Sequence, residues 1–466
     1  MPSLIDDGHR LRDLRWASQT CSAWRDTLLH SPSIWAKCLI FDELESTSEE
    51  WKSEVVRRTG NAPLHVIRLL EFRRRFDADD EWFYHFLREN WHRIHTLNIT
   101  ISVVSLEKYL ELQKLPAPHL VLCRCTFRLD KANPDRTYLQ NPDPVVAFGG
   151  GAPCLRKLML NSSSFHPNSL RLIPTPCLFQ LRSLEINPLH DEVKLLEALS
   201  AASLLETLTL HFKTPTHGDD SASSADTDAV PHTTASAKLF PLLSLKELDI
   251  RVVKDVAASI RFLSQLDMRK CKFKLRYHAY TEPFLYFPEM SSLAAVLAAY
   301  FHHFEGGPET IERRPLTFDA DRNCVGMYGG PKELSIILHT CDGSGIPDMT
   351  PLLQALADSR WYETTKELRL GISRKSHYLP LRILLASLRS VTRLIIDATN
   401  FARICDWRQL RTGKKLLPAL EEILVTDVVE KNKNEVLRQL KEFSNSRVSC
   451  RAKPIKFGYA LRIEGI

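Results

Sequence analysis

Residues 181–210 read LRSLEINPLHDEVKLLEALSAASLLETLTL, and this stretch decides the fold. It opens on Leu181-x-x-Leu184-x-Ile186 and closes on Leu205-x-x-Leu208-x-Leu210. The last two apolar residues of each hexamer lie two apart, so both side chains leave one face of a short strand. The first packs in the turn that leads into the strand. Between the hexamers, Val193-Lys-Leu-Leu-Glu-Ala-Leu199 has the apolar spacing of a helical return. The stretch therefore predicts strand, helix, strand, with the strands parallel.

The hexamer recurs outward in both directions, with Ile or Val sometimes replacing Leu. Upstream are Ile94-x-x-Leu97-x-Ile99 and Leu155-x-x-Leu158-x-Leu160. Downstream are Leu245-x-x-Leu248-x-Ile250, Val391-x-x-Leu394-x-Ile396 and Leu420-x-x-Ile423-x-Val425, with Thr365-x-x-Leu368-x-Leu370 as a weaker copy. The steps from Leu158 to Leu184 to Leu208, and from Leu368 to Leu394 to Ile423, match the roughly 20–29 residue period of leucine-rich repeats. Leu120-x-Leu122, Phe273-x-Leu275 and Leu334-x-Ile336-x-Leu338 read as degenerate rungs. One such unit cannot bury its own face, so stability must come from stacking neighbours. The expected fold class is α/β, an irregular leucine-rich-repeat solenoid over residues 91–466. Its middle, around the helix candidate Met290 to Phe304, is expected to hold a distorted or inserted section. The competing reading is an unrelated α/β domain with leucine-rich strands, although regular parallel sheets use longer Val/Ile runs.

Composition bounds the rest. The chain has 466 residues, 44% hydrophobic and 25% charged, which excludes a mostly disordered or collagen-like polypeptide. A formal net charge of +6 does not announce a nucleic-acid binder. Residues 213–238, including GDDSASSADTDAVPHTTASA, are too poor in large apolar groups to order themselves and read as a disordered insertion. No run is long enough to span a bilayer and no secretory pattern opens the chain, so a cytoplasmic or nuclear location and no membrane partner are expected. The eleven Cys include no C-x-x-C; Cys123 and Cys125 share one strand face and read as core.

The N-terminus is helical by spacing: Leu11, Leu14, Ala17 and Cys21 form one apolar face, and Pro32 suits the first turn of a new helix. The order of residues says more. DLRWASQTCSAWRDTLLHSPSIWAKCLIF, with Cys21-x-x-Trp24-Arg25 and Ser31-Pro32-Ser33-x-Trp35, resembles the second half of an F-box. EEWKSEVVRRTGNAPLHVIRL then resembles the segment that follows the F-box in many fungal members. Only MPSLIDDGHR precedes Leu11, too short to supply the whole of the family's opening Leu-Pro helix. It implies a partial F-box-like helical motif at 1–45 and a helical linker segment at 46–90, ahead of the repeats. It also implies docking on the Skp adaptor of a cullin–RING ubiquitin ligase, through Leu14, Trp24, Leu28, Pro32 and Trp35.

Catalytic chemistry has no constellation to carry it. Gly149-Gly-Gly151 lacks the spacing of a phosphate loop and precedes Ala-Pro, which favours a turn. Gly343-Ser344-Gly345 lacks the spacers of a nucleophile elbow, and His92 and His95 belong to no H-E-x-x-H. No enzyme, cofactor or metal site is expected.

Partner surfaces are more legible. The residue between the two core positions of each rung faces the other way, onto what would be a concave surface. Those residues are Asn98, Met159, Glu185, Thr209, Asp249, Arg369, Ile395 and Leu424. In Arg269-Lys-Cys-Lys-Phe-Lys-Leu-Arg-Tyr277, alternation puts Lys270, Lys272, Lys274 and Arg276 on one face, against which an acidic patch of a target protein could dock. Met159, Glu185, Asp249 and Arg369 join them as candidate target-binding residues. The leading expectation is a substrate-recognition subunit of an SCF-type ligase. The alternative is a non-catalytic scaffold whose degraded F-box no longer joins a ligase, and a nucleic-acid-binding solenoid comes third.

Overall fold

The computed structural model describes residues 10–69, 80–102, 105–128, 147–162, 176–189, 192–213, 240–253, 256–267, 272–279, 289–302, 316–320, 324–329, 334–340, 350–358, 365–372, 385–386, 388–405, 417–429, 433–449 and 455–461. The expected insertion therefore falls almost wholly outside the described residues. The chain divides into two compact units, Met1–Leu245 and Lys246–Ile466. Both are α/β with a mostly parallel sheet.

In the first unit, helices α1 (Arg10–Thr20), α2 (Ser22–Leu29) and α3 (Pro32–Lys37) precede the two-residue strand β1 (Leu39–Ile40). Helices α4 (Phe41–Leu44) and α5 (Glu49–Arg58) lead to β2 (Leu64–Arg68), and α6 (Asp80–Asn90) to β3 (Ile94–Ser102). Then follow α7 (Leu106–Gln113), β4 (Leu122–Arg128), β5 (Lys157–Ser162), β6 (Ser183–Leu189), α8 (Glu192–Ser200) and β7 (Thr207–Lys213). Strands β1 to β7 lie side by side in chain order, each parallel to the next. The sheet thus begins well ahead of residue 91, inside the segment expected to be helical.

The hexamer fixes the register. Leu97, Cys123, Leu158, Leu184 and Leu208 are successive partners across β3 to β7, and Ile99, Cys125, Leu160, Ile186 and Leu210 form the parallel row. All but Leu160 are buried. The first leucine of each hexamer is buried too, at Leu155, Leu181 and Leu205. One backbone bond repeats at each entry: Arg156 N–H to the Val121 carbonyl, Arg182 to Arg156 and Glu206 to Arg182, each at 2.8 Å. Leu195, Leu196, Ala198 and Leu199 of α8 supply apolar cover, as the helical return required. Around Leu120 the phase differs from the sequence reading. Leu120 is the buried turn residue, Cys123 and Cys125 are the core pair, and Leu122 takes an outward position.

The N-terminal helices are tied to the first strands by aromatic and cationic contacts. Trp35 is fully buried, with its indole N–H donated to the Leu28 carbonyl at 2.8 Å. Its ring meets Trp51 edge-on at 6.4 Å, and the Arg58 guanidinium stacks 4.6 Å from its centroid. Phe41 packs among Trp82, Phe83 and Phe86. Arg68, at a core position of β2, pairs with Glu45 at 2.7 Å and lies over Phe83.

The second unit contains β8 (Glu247–Val253), α9 (Val256–Ser264), β9 (Lys272–Ala279), α10 (Glu289–His302), β10 (Leu316–Ala320), β11 (Cys324–Gly329) and β12 (Leu334–Thr340). After α11 (Thr350–Asp358) come β13 (Glu367–Ile372), β14 (Arg393–Asp397), α12 (Ala398–Cys405), β15 (Glu422–Val428), α13 (Lys433–Ser449) and β16 (Lys456–Leu461). The sheet order is β8-β9-β12-β11-β10-β13-β14-β15-β16. The irregular middle is now explicit: β11 runs antiparallel between β12 and β10, so three strands are inserted in reversed order. On either side the parallel register resumes. Leu248 pairs with Phe273, and Leu368, Leu394 and Ile423 align, as do Leu370, Ile396 and Val425.

Leu208 closes the core row across β3 to β7 and has no exposed surface. Leu208→Ala should destabilise the full chain by about 2–5 kcal/mol. This would be read as a lower urea midpoint in far-ultraviolet circular dichroism; an unmoved midpoint would contradict the assigned core.

Candidate protein-interaction surfaces

Two surfaces carry side chains that the core does not use. The first is the N-terminal helical pair. Leu11 and Leu28 are buried and Leu14 is half-buried, which leaves Trp16 at 58% and Trp24 at 60% exposure on α1 and α2. Of the five expected adaptor contacts, Trp24 and Pro32 lie at the surface and Leu14 at its margin. Leu28 and Trp35 are interior, where they join α2 to α3. Trp16 was not singled out by sequence reasoning. Its signal was available: it follows Leu14 by two, which places an indole on the far side of the helix from Leu11, Leu14 and Ala17. Arg12, one turn earlier, stacks over it at 4.8 Å.

The second surface is the sheet face opposite the core rows. In the first unit, Asn98, Arg124, Met159, Glu185 and Thr209 are successive register partners on β3 to β7, so four of the expected outward residues do share one row. In the second unit, Arg369, Ile395 and Leu424 form an equivalent row, and Asp249 is the partner of Lys274.

The electrostatics of the two faces differ. Of the four basic residues expected on the strand over 269–277, Lys270 lies outside the described residues, and Lys272 begins β9 opposite Glu247. Lys274 makes an ion pair with Glu247 at 2.5 Å, and Arg276 approaches Asp249 at 3.5 Å. Asp249, itself buried, also accepts from Arg251 at 3.0 Å. Glu367 pairs with Arg369 and Arg393, and Arg393 in turn with Glu422, all at 3.3 Å. This face is zipped by its own charges. In the first unit the row is looser: among the described residues Arg124 makes no ion pair or hydrogen bond, and Glu185 finds His211 only at 4.0 Å.

Reactive chemistry is not assembled among the described residues. Cys123 and Cys125 lie 3.6 Å apart with the Tyr109 hydroxyl 2.9 Å from Cys125, all fully enclosed. The neighbouring Cys125 thiol and burial hold the Cys123 thiol well above its usual range, and burial pushes Tyr109 up as well. A protonated, inaccessible thiol is neither nucleophile nor metal ligand. No group of three or more His, Cys, Asp or Glu able to hold a metal ion occurs among the described residues. Gly149 sits at φ +53° where an added Cβ would meet the Lys114 carbonyl oxygen at 2.5 Å, so the glycine run makes a tight turn. No described helix is long and apolar enough to cross a membrane.

A comparison with protein-family models finds no match for the chain, and neither does a comparison with curated proteins.

Two measurements check these assignments. An aromatic disulfide reagent should label exposed Cys21 in the folded chain and reach Cys123 and Cys125 only after unfolding, as mapped by peptide mass spectrometry. Labelling of the pair in the native state would contradict its enclosure. Glu54 is held down to about 2 by hydrogen bonds from Arg57 and Arg58. Its folded value lies below the unfolded one, so its stabilisation is present at neutral pH and is lost as pH falls from about 4.5 toward 2. Because the cluster is partly solvated, Glu54→Gln should cost less than about 1 kcal/mol at pH 7, and the cost should shrink as pH falls from about 4.5 to 2 and vanish below that. A constant difference across that window would refute the pairing.

Proposed function

We propose that the chain is a non-enzymatic substrate receptor of an SCF-type ubiquitin ligase. The N-terminal helices would dock on a Skp-type adaptor, and the repeat region, stacked as a leucine-rich-repeat solenoid, would hold a target protein. The observation that carries this reading is the pair of exposed indoles, Trp16 and Trp24, on two packed helices whose other large apolar residues are mostly turned inward. Large exposed aromatics mark protein contacts, and tryptophan is over-represented among the residues that dominate binding energy. The order of motifs around them, Cys21-x-x-Trp24-Arg25 followed by Ser31-Pro32-Ser33-x-Trp35, supports an F-box as the source of that face. The repeated strand entries at Arg156, Arg182 and Glu206, and again at Thr392, Glu421 and Lys456, support a repeat architecture. Each rung then contributes one outward position to a broad surface, which suits a protein target better than a small molecule.

The exposure difference separates docking from folding. Trp16→Ala with Trp24→Ala should leave the circular dichroism spectrum and unfolding midpoint nearly unchanged and abolish retention by a purified Skp-type adaptor. Trp35→Ala removes a buried ring and should cost about 3–5 kcal/mol, so its loss of binding would report unfolding alone. Retention undiminished in the folded double variant, or no retention of the wild-type chain, would replace this reading with that of an interaction scaffold outside the ligase.

A further inference from the structure

The two sheet faces assign target chemistry more narrowly than composition does. Lys274 and Arg276, the most basic stretch in the sequence, are engaged with Glu247 and Asp249. Arg124 is not engaged. It occupies the second position of the row on β3 to β7, half-buried between Asn98 and Met159, and carries neither an ion pair nor a hydrogen bond among the described residues. Partial burial strips some of its water, and neutral neighbours return no charge, so a free guanidinium there is poised for a bidentate anion. One row further along the strands, Thr126 is partnered by Asn161, whose buried Oδ1 accepts no hydrogen bond. Two strands beyond Arg124, about 10 Å away, Glu185 supplies the opposite charge, with His211 as its 4.0 Å neighbour.

We propose that this face of the first unit binds a peptide segment of the target carrying an aspartate or glutamate, seated on Arg124, with a basic residue placed toward Glu185. The proposal rests on the reading of the sheet face as the target surface. Charge complementarity selects the occupant: one unpaired cation and one weakly paired anion on a row otherwise made of Asn, Met and Thr. A carboxylate is favoured over a nucleic-acid backbone because Glu185 lies on the same face as the cations Arg124 and Lys157 and would repel a chain of phosphates.

The test is a positional-scanning library of fluorescent decapeptides titrated against the full-length chain by anisotropy. The wild type should select Asp or Glu at one position and Lys or Arg at another. Arg124→Glu should weaken acid-bearing peptides by about tenfold or more and shift that position toward Lys or Arg. Glu185→Lys should reverse the second preference, and Arg124→Lys should keep the acid preference with lower affinity. Met159→Arg separates the two levels of the argument. If it blocks binding while Arg124→Glu leaves the acid preference intact, the surface stands and the assignment of Arg124 is overturned. If neither variant alters binding, or no peptide is selected, the surface itself is wrong and the proposal falls with it. Stronger selection of phosphoserine than of Asp or Glu would overturn the carboxylate as the ligand.

Discussion

Every second residue of a strand must face the same side, and in this chain that constraint organises everything else. A hexamer with its last two apolar residues two apart can bury both only in one register relative to the next strand. A slip of one residue would turn Leu184 and Ile186 outward and Glu185 inward. The rows through Leu97 to Leu208 and through Leu368 to Ile423 are the outcome of that penalty. The identical entry bonds at Arg156, Arg182 and Glu206 show that the register is already set in the turn, before the strand begins.

The same constraint creates the surfaces. Once two positions per strand are committed to the core, the residue between them is delivered to the opposite face in a row, whatever its type. Cross-strand charges then decide what the row can do. In the second unit, acids and bases from neighbouring strands neutralise one another, through Glu367, Arg393 and Glu422 and through Glu247 and Lys274. In the first unit Arg124 is left over.

Much of the parallel architecture was legible because leucine spacing is a local signal. The failures have local physical causes. Strand β2 was hidden because its third inward position is Arg68, a charge made tolerable only by Glu45 from a different element and by the Phe83 ring. At Leu120 the sequence offered both Leu122 and the Cys123–Cys125 pair as core, and the structure buries the cysteines and turns Leu122 outward. The reversed insertion of β10 to β12 depends on which strands meet, and no spacing within 316–340 encodes that. Among the candidate site residues, the inward or outward sense of Met159 and Glu185 could be read directly. The engagement of Lys274 could not, because its partner Glu247 lies 27 residues earlier and is brought near only by the sheet.

The central claim is that one register aligns the middle residues of the strands into a row, and proximity across that row tests it most directly. Met159→Cys with Glu185→Cys places two thiols on adjacent partner positions about 5 Å apart, within reach of a disulfide. Met159→Cys with Thr209→Cys leaves a strand between them. After mild oxidation of the folded chain and peptide mass spectrometry, the account predicts a cross-link in the first pair and none in the second. A cross-link confined to the second pair, or none in the first, would contradict it.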